Sequence, residues 1–272
     1  MSGWGEQLAI IWTNNVQPSR PSNEEMVIYT KYLRFVQKNI GNRKAKLLVL
    51  GSTPEFRDWG YEQNLDITVV DKSKEYYDAI SKEIRHKNIK EKLIVSEWEC
   101  MSFHDEFDVI IGDLAIGNVD SSRFDNFLEC VRLALSDKGI FIGKSFIWKD
   151  DKIVHSPEEI IDIYRKKSYI HPYNIINHMM ALYCVDREKM ELDFSVMYNL
   201  LKELEKNNYL TSDIMSYFEN IGWNTEMKFK FFSPSQVYFR EKINQHLQFI
   251  KYEFTNDEFT HEFPVYIAKK ED

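Results

Sequence analysis

The residues of this chain best suited to hold a ligand are a glycine and an aspartate twenty positions apart, Gly51 and Asp71. Gly51 closes the apolar run Leu47-Leu48-Val49-Leu50. It is followed by Ser52-Thr53-Pro54-Glu55, which reads as a helix start with Thr53 as N-cap and Pro54 in the first turn. A glycine there lets a ligand approach the main chain, and backbone N–H groups at the helix start can bind a carboxylate. Asp71 follows Ile67-Thr68-Val69-Val70, where a second parallel strand would end beside the first. A carboxylate at that place accepts hydrogen bonds from both hydroxyls of a ribose. Read singly, the first feature is equally an ordinary strand-to-helix turn, and Asp71 is equally a helix cap. In this order and at this spacing they point to a nucleoside-containing cofactor.

The elements that must position these residues are legible as an alternation. Short apolar runs recur at Leu47–Leu50, Ile67–Val70, Leu93–Val95, Val109–Ile111 and Ile140–Ile142, with helical segments near Pro54–Gly60, Lys74–His86 and Ser122–Leu135 between them. Runs without polar alternation suit strands covered on both faces, and strand-helix-strand order implies a doubly wound parallel sheet. Residues 1–45 carry two helices, Glu6–Trp12 and Glu24–Ile40, read as an N-terminal helical cap, and residues 46–148 form the cofactor-binding core. Residues 149–232 read as a helical insert or lid with helices at Pro157–Lys167, Ile175–Asp186, Ser195–Asn207 and Ser212–Ile221. Residues 233–272 supply a last helix near Pro234–Gln245 and two strands, Gln248–Phe254 and Phe263–Ala268. With no helix between them, those two strands pair antiparallel. The fold class expected is therefore α/β and Rossmann-like, with a mostly parallel sheet, a C-terminal antiparallel strand pair and a helical lid.

With these residues in place, the core resembles the class I S-adenosylmethionine-dependent methyltransferases over about residues 46–148, with the terminal strand pair as a second stretch. The resemblance implies a glycine turn after the first strand (Gly51), an acid ending the second (Asp71), an acid after the third (Glu97) and an aspartate after the fourth (Asp113). It implies that Glu97 or its neighbour Trp98 contacts adenine and that Asp113 sits near the sulfonium end. Ser52, Thr53, Lys72 and Leu114 complete the implied cofactor contacts. The turn departs from the family's Gly-x-Gly-x-Gly, with Val49 in place of an acid and Thr53 and Glu55 in place of the later glycines. It is similar to the Gly-x-Thr-Pro-Glu turn of a divergent branch, which also carries an Arg-Pro-Ser segment like Arg20-Pro21-Ser22. A nicotinamide-dependent dehydrogenase shares the spacing of glycine turn and acid, but its Gly-x-Gly-x-x-Gly is absent.

The function implied is methyl transfer to a small organic molecule. The alternative is a chain that binds the cofactor but serves as a silent scaffold, because the glycine turn is degenerate. Methyl transfer requires the protein chiefly to position the acceptor and exclude water, so no catalytic motif is obligatory. Candidates for acceptor contact or proton removal are Asp113, Lys144, His155, His171, Tyr173 and His178, with Tyr169–Asn174 the segment favoured for acceptor contact. Each histidine reads more readily as a surface or capping residue. His171 and His178 share a face only if a helix begins just after Pro172, and no further ligand is spaced with them for a metal. The aromatics Trp4, Trp12, Tyr29 and Tyr32 pack as core or line an enclosure for a flat acceptor.

Composition narrows the partners. Thirty-five Lys and Arg against 43 Asp and Glu give a formal charge of -8, which repels nucleic-acid phosphates. Cys100, Cys130 and Cys184 are too widely spaced for a disulfide framework or a CxxC site, so a reducing, cytoplasmic setting is expected. No run approaches the roughly 18 apolar residues that span a bilayer, and no secretory leader is evident at the N-terminus. Neither a nucleic-acid nor a membrane partner is expected, and the oligomeric state is not set.

Overall fold

The computed structural model describes residues 6–149, 154–167, 171–183, 185–224 and 229–271. Its core is a seven-stranded sheet with β1 Lys46–Leu50, β2 Asp66–Asp71, β3 Glu91–Val95, β4 Phe107–Asp113 and β5 Leu135–Lys144. A small second sheet holds β6 Val185–Asp186, β7 Glu191–Asp193 and β8 Lys230–Phe232, and β9 Gln248–Glu253 and β10 Val265–Lys269 return to the core. The core order is β3-β2-β1-β4-β5-β10-β9. The first five strands run parallel, with Leu47 beside Ile67 and Val109, while β10 is antiparallel to both β5 and β9. The strand order reverses between β1 and β4, and the carboxyl ends there form the crevice where open α/β sheets bind ligands.

The helices are α1 Glu6–Thr13, α2 Asn23–Ile40, α3 Pro54–Glu62, α4 Lys74–Ile80, α5 Phe124–Ala134, α6 Pro157–Lys166, α7 Tyr173–Leu182, α8 Phe194–Lys206, α9 Ser212–Asn220 and α10 Gln236–His246. One sheet face is covered by α2 and α3, whose Tyr29, Leu33, Val36, Phe56 and Trp59 pack on Leu47, Val49, Ile67 and Val109. The other is covered by α5 and α10, whose Phe124, Phe127, Leu128 and Phe239 pack on Leu48, Ile110 and Phe141. The alternating faces of each strand thus meet different helices, as a doubly wound sheet requires. The insert has a core of its own, with Ile160, Ile176, Met197, Leu201 and Trp223 fully buried and Ile11 of α1 joined to it.

Several local expectations are corrected. Thr53 occupies the N-cap position, but its side chain makes no cap hydrogen bond; Pro54 alone marks the helix start. The helix expected over Lys74–His86 stops at Ile80 and ends in a single 3-10 turn, Ser81–Glu83. There the Asp58 carboxylate accepts hydrogen bonds from the backbone N–H groups of Arg85 and His86, which fixes a non-helical path. The insert read as helices alone contains β6, β7 and β8, strands of two or three residues too short to carry a periodic signal. Of the two cap helices only α1 lies over the carboxyl edge, with Ala9 packed on Tyr76 and Ile80, whereas α2 is a structural layer of the sheet. Trp4, Tyr169, Ile170 and Cys184 lie outside the described residues.

Candidate cofactor and acceptor site

At the carboxyl ends of β1, β2 and β4 lies a cavity of about 170 Å³. Every residue expected to contact a cofactor lines it: Gly51, Ser52, Thr53, Asp71, Lys72, Glu97, Trp98, Asp113 and Leu114. Chain topology explains the convergence, because parallel strands deliver all their carboxyl ends to one edge. Gly51 has φ +87°, a left-handed conformation that disfavours a side chain, and its N–H donates to the Val70 carbonyl at 2.9 Å. The Trp98 indole N–H donates to the same carbonyl at 2.8 Å. Its ring comes to 3.4 Å from the point a Cβ on Gly51 would occupy, so the indole packs directly over the glycine.

Asp71 is buried at the end of β2. The Ser52 hydroxyl donates to its Oδ2 at 2.5 Å and the Ser73 backbone N–H to its Oδ1 at 3.0 Å. Burial raises its pKa above the usual carboxylate value, against the pull of those two hydrogen bonds. Each oxygen keeps a lone pair for a further donor. Burial lowers the pKa of Lys72, opposed by Glu97 and Asp71. Glu97 is exposed and paired with Arg123 at 2.9 Å, leaving Trp98 as the aromatic wall at this end.

Below the cavity, three buried charges from distant segments meet. Lys144, at the end of β5, is fully buried; its ammonium donates to the Arg20 carbonyl at 2.9 Å and to Glu25 Oε2 at 3.0 Å, and lies 3.2 Å from Asp113 Oδ1. Glu25 also closes the capping box of α2 with Ser22. Burial pushes the Asp113 carboxyl up to about 7; Lys144 pulls against this, and Glu25 and Glu55 add to it. Burial likewise raises Glu25, and although burial alone would lower Lys144, the two carboxylates hold its pKa up. The two short segments singled out in the sequence touch here, since Arg20 pairs with Glu55 at 2.7 Å and stacks on Trp12 at 4.3 Å.

The remaining walls come from α1 and the insert: Leu8, Ile11 and Trp12 on one side, Tyr173, Met180, Phe194, Phe229 and Phe231 on the other. Of the acceptor candidates, Asp113 and Tyr173 line the cavity. His171 and His178 do not. Helix α7 begins at Tyr173, which leaves His171 outside it, edge-on to Tyr217, whereas His178 is buried with Nδ1 2.7 Å from the Asn174 carbonyl. His155 lies at the surface 3.6 Å from Glu159, and Lys144 is beneath the cavity rather than in its wall. Trp12 lines the cavity, Tyr29 is core, and the Tyr32 hydroxyl donates to Glu253. Sequence reasoning offered Trp12 and Tyr173 as lining but missed Glu25, Leu8, Ile11 and the insert's Met180, Phe194, Phe229 and Phe231; the signal for Leu8 and Ile11 was the apolar face that they share with Trp12 on α1. Among the described residues no group of His, Cys, Asp and Glu is placed to hold a metal, and no helix is long and apolar enough to cross a membrane.

A sheet ordered β3-β2-β1-β4-β5-β10-β9, with β10 antiparallel inside it, is the fold of the class I S-adenosylmethionine-dependent methyltransferases. Among solved structures, the chain is similar to an S-adenosylmethionine-dependent methyltransferase from Clostridium acetobutylicum, 11% identical over 98% of both chains with a TM-score of 0.55. It is similar as well to the 1,6-didemethyltoxoflavin-N1-methyltransferase of Burkholderia thailandensis, 11% identical over 96% of this chain and 81% of that one, TM-score 0.52. A chain described as a zinc-dependent alcohol dehydrogenase from Rhodobacter sphaeroides matches over 100% of both chains at 12% identity and a TM-score of 0.57. Likeness at such identities concerns the fold alone. No family model and no curated protein matches the sequence.

Proposed function

We propose that this chain is an S-adenosylmethionine-dependent methyltransferase acting on a small organic molecule. The observation that carries the reading is the convergence of Gly51, Asp71, Trp98 and Asp113 on one cavity that continues beneath the aromatic side chains of the insert. The residues present fit the cofactor, because Gly51, whose left-handed φ disfavours a side chain, bares the main chain at the cavity wall and Asp71 offers a buried carboxylate at the end of β2. Gly51, Ser52 and Thr53 would hold its methionine end, Asp71 its ribose and Trp98 its adenine. Bound there, it would supply an electrophilic methyl group for transfer to the acceptor.

The chain's own residues then have three tasks. Aromatic walls from α1 and the insert exclude water and orient a flat acceptor. Asp113, its pKa brought to about 7 by burial, takes in its ionised form the proton that the acceptor releases. Lys144 and Glu25 fix the carboxyl group of Asp113 in place. The Burkholderia neighbour is described with bound 1,6-didemethyltoxoflavin and S-adenosylhomocysteine, and a small heterocyclic acceptor there is compatible with this reading. A dehydrogenase is disfavoured by the missing Gly-x-Gly-x-x-Gly.

Titration calorimetry with S-adenosylmethionine tests the proposal: the native chain binds it, and Asp71→Ala weakens binding about 10- to 100-fold, the worth of hydrogen bonds to a charged group. Absence of binding by the native chain sinks the reading. Binding without labelled-methyl transfer to any component of a cell extract would instead favour the scaffold alternative.

A further inference from the structure

Gly51, Ser52 and Thr53 line the cavity, whereas Arg57, one turn further along α3, lies behind that wall with its side chain 1% exposed. A guanidinium so deep in the fold must be paired and hydrogen-bonded. Its Nε donates to both carboxylate oxygens of Glu91 on β3, at 2.9 and 3.1 Å. Its Nη2 donates to Glu91 Oε1 and, at 2.8 Å, to the Ser81 hydroxyl. The group lies over the Tyr77 ring, 4.3 Å from the centroid, and the Tyr77 hydroxyl donates to Glu91 Oε1 at 2.7 Å. These contacts pin the guanidinium to β3, α4 and the turn after it. The third nitrogen, Nη1, donates to the Ser52 carbonyl at 3.4 Å.

That last bond is not needed to join α3 to β3, since the Glu91 pair already does so. It acts on the turn instead. The start of α3 has little hold of its own, because Thr53 makes no cap hydrogen bond and Pro54 has no N–H. In a trans peptide the carbonyl and the following N–H point in opposite directions. With the Ser52 carbonyl held on Arg57 behind the wall, the Thr53 N–H is turned toward the cavity. The Ser52 hydroxyl is held at the same time on Asp71 Oδ2, at 2.5 Å. Were the peptide to rotate, a carboxylate at the helix start would meet a carbonyl oxygen in place of a donor.

We propose that Arg57 is a positioning residue for the cofactor: it holds the Ser52–Thr53 peptide with its N–H toward the cavity and so sets the affinity for the carboxylate of the methionine end. The inference rests on the S-adenosylmethionine reading of the site.

The test compares two compounds by titration calorimetry on the full chain. S-adenosylhomocysteine carries the amino-acid end; 5′-methylthioadenosine keeps the adenosine and the thioether but has no carboxylate. Arg57→Lys preserves a cation beside Glu91 but not the fork that spans Glu91, Ser81 and Ser52. It weakens S-adenosylhomocysteine about tenfold and leaves 5′-methylthioadenosine within about twofold. Ser81→Ala takes away one acceptor of the guanidinium without leaving a charge unpaired; it gives the same split at about threefold and carries the test if Arg57→Lys does not fold. In the ligand-free chain, the Ser52 carbonyl carbon resonance shifts in Arg57→Lys. A residue that only braced α3 on β3 would weaken both compounds alike. Equal weakening, S-adenosylhomocysteine affinity undiminished in the variants, or an unmoved Ser52 resonance overturns the inference. If the native chain binds neither compound, the cofactor reading falls and the carboxylate role with it, while the Ser52 resonance still decides whether Arg57 holds the turn.

Discussion

Replacing Lys144 by methionine removes the one cation from a buried cluster while keeping most of the apolar stem. In the intact chain the ammonium lies 3.0 Å from Glu25 and 3.2 Å from Asp113, and it is fully buried, so water does not screen the pair. Removing one partner of a buried ion pair costs about 3–5 kcal/mol, because an uncompensated charge remains. The cost depends on pH. Glu25 and Asp113 already have raised pKa values, Asp113 at about 7, and loss of Lys144 raises both further. A group with a raised folded pKa contributes stability that is complete below its unfolded pKa and is lost as pH rises through the folded value. Lys144→Met should therefore cost more at pH 8 than at pH 5, where the Asp113 carboxyl, with a pKa of about 7, is already protonated in the intact chain. Thermal melts followed by circular dichroism should show Tm lowered by roughly 10 °C at pH 8, with much of the loss recovered in Lys144→Met/Glu25→Gln. A loss equal at the two pH values, or no rescue by the second substitution, would refute the idea that the cluster is held by charge.

Three further outcomes are expected. If Asp113 accepts the acceptor's proton, kcat/KM rises with pH to a plateau above about 7, the pKa of its carboxyl; Asp113→Asn flattens that limb, and a profile unchanged by the substitution removes Asp113 from the role. Gly51→Ala forces a side chain into a left-handed backbone, at a cost of about 1–2 kcal/mol. S-adenosylhomocysteine should then bind roughly tenfold more weakly by calorimetry, and undiminished affinity would show that the turn at Gly51 does not hold the cofactor. Gly117→Ala collides with Phe231, so urea denaturation should show a loss of about 1–3 kcal/mol, relieved when Phe231→Leu is added; a neutral Gly117→Ala would mean that β8 does not press on the turn after β4.

The sequence determined the central architecture because its signals are local. Apolar runs of three or four residues, a glycine at a strand end and an acid twenty positions later are fixed by burial on two faces and by backbone sterics, and the parallel order follows once helices separate the strands. That is why every expected cofactor residue lines one cavity. What only the tertiary structure decided involves partners far apart in the chain. Nothing near Lys144 in sequence announces that its ammonium is shared by Glu25 and Asp113, 119 and 31 positions away. The histidines were singled out for their chemistry, yet packing turned His178 into a core residue and left His171 against Tyr217, because a helix begins between them. The aromatic wall of Phe194, Phe229 and Phe231 depends on where the insert folds back, and the two- and three-residue strands that place it are too short to leave a periodic pattern. A side chain's type limits the chemistry available to it; its neighbours, set by long-range burial and charge pairing, decide whether that chemistry faces a ligand.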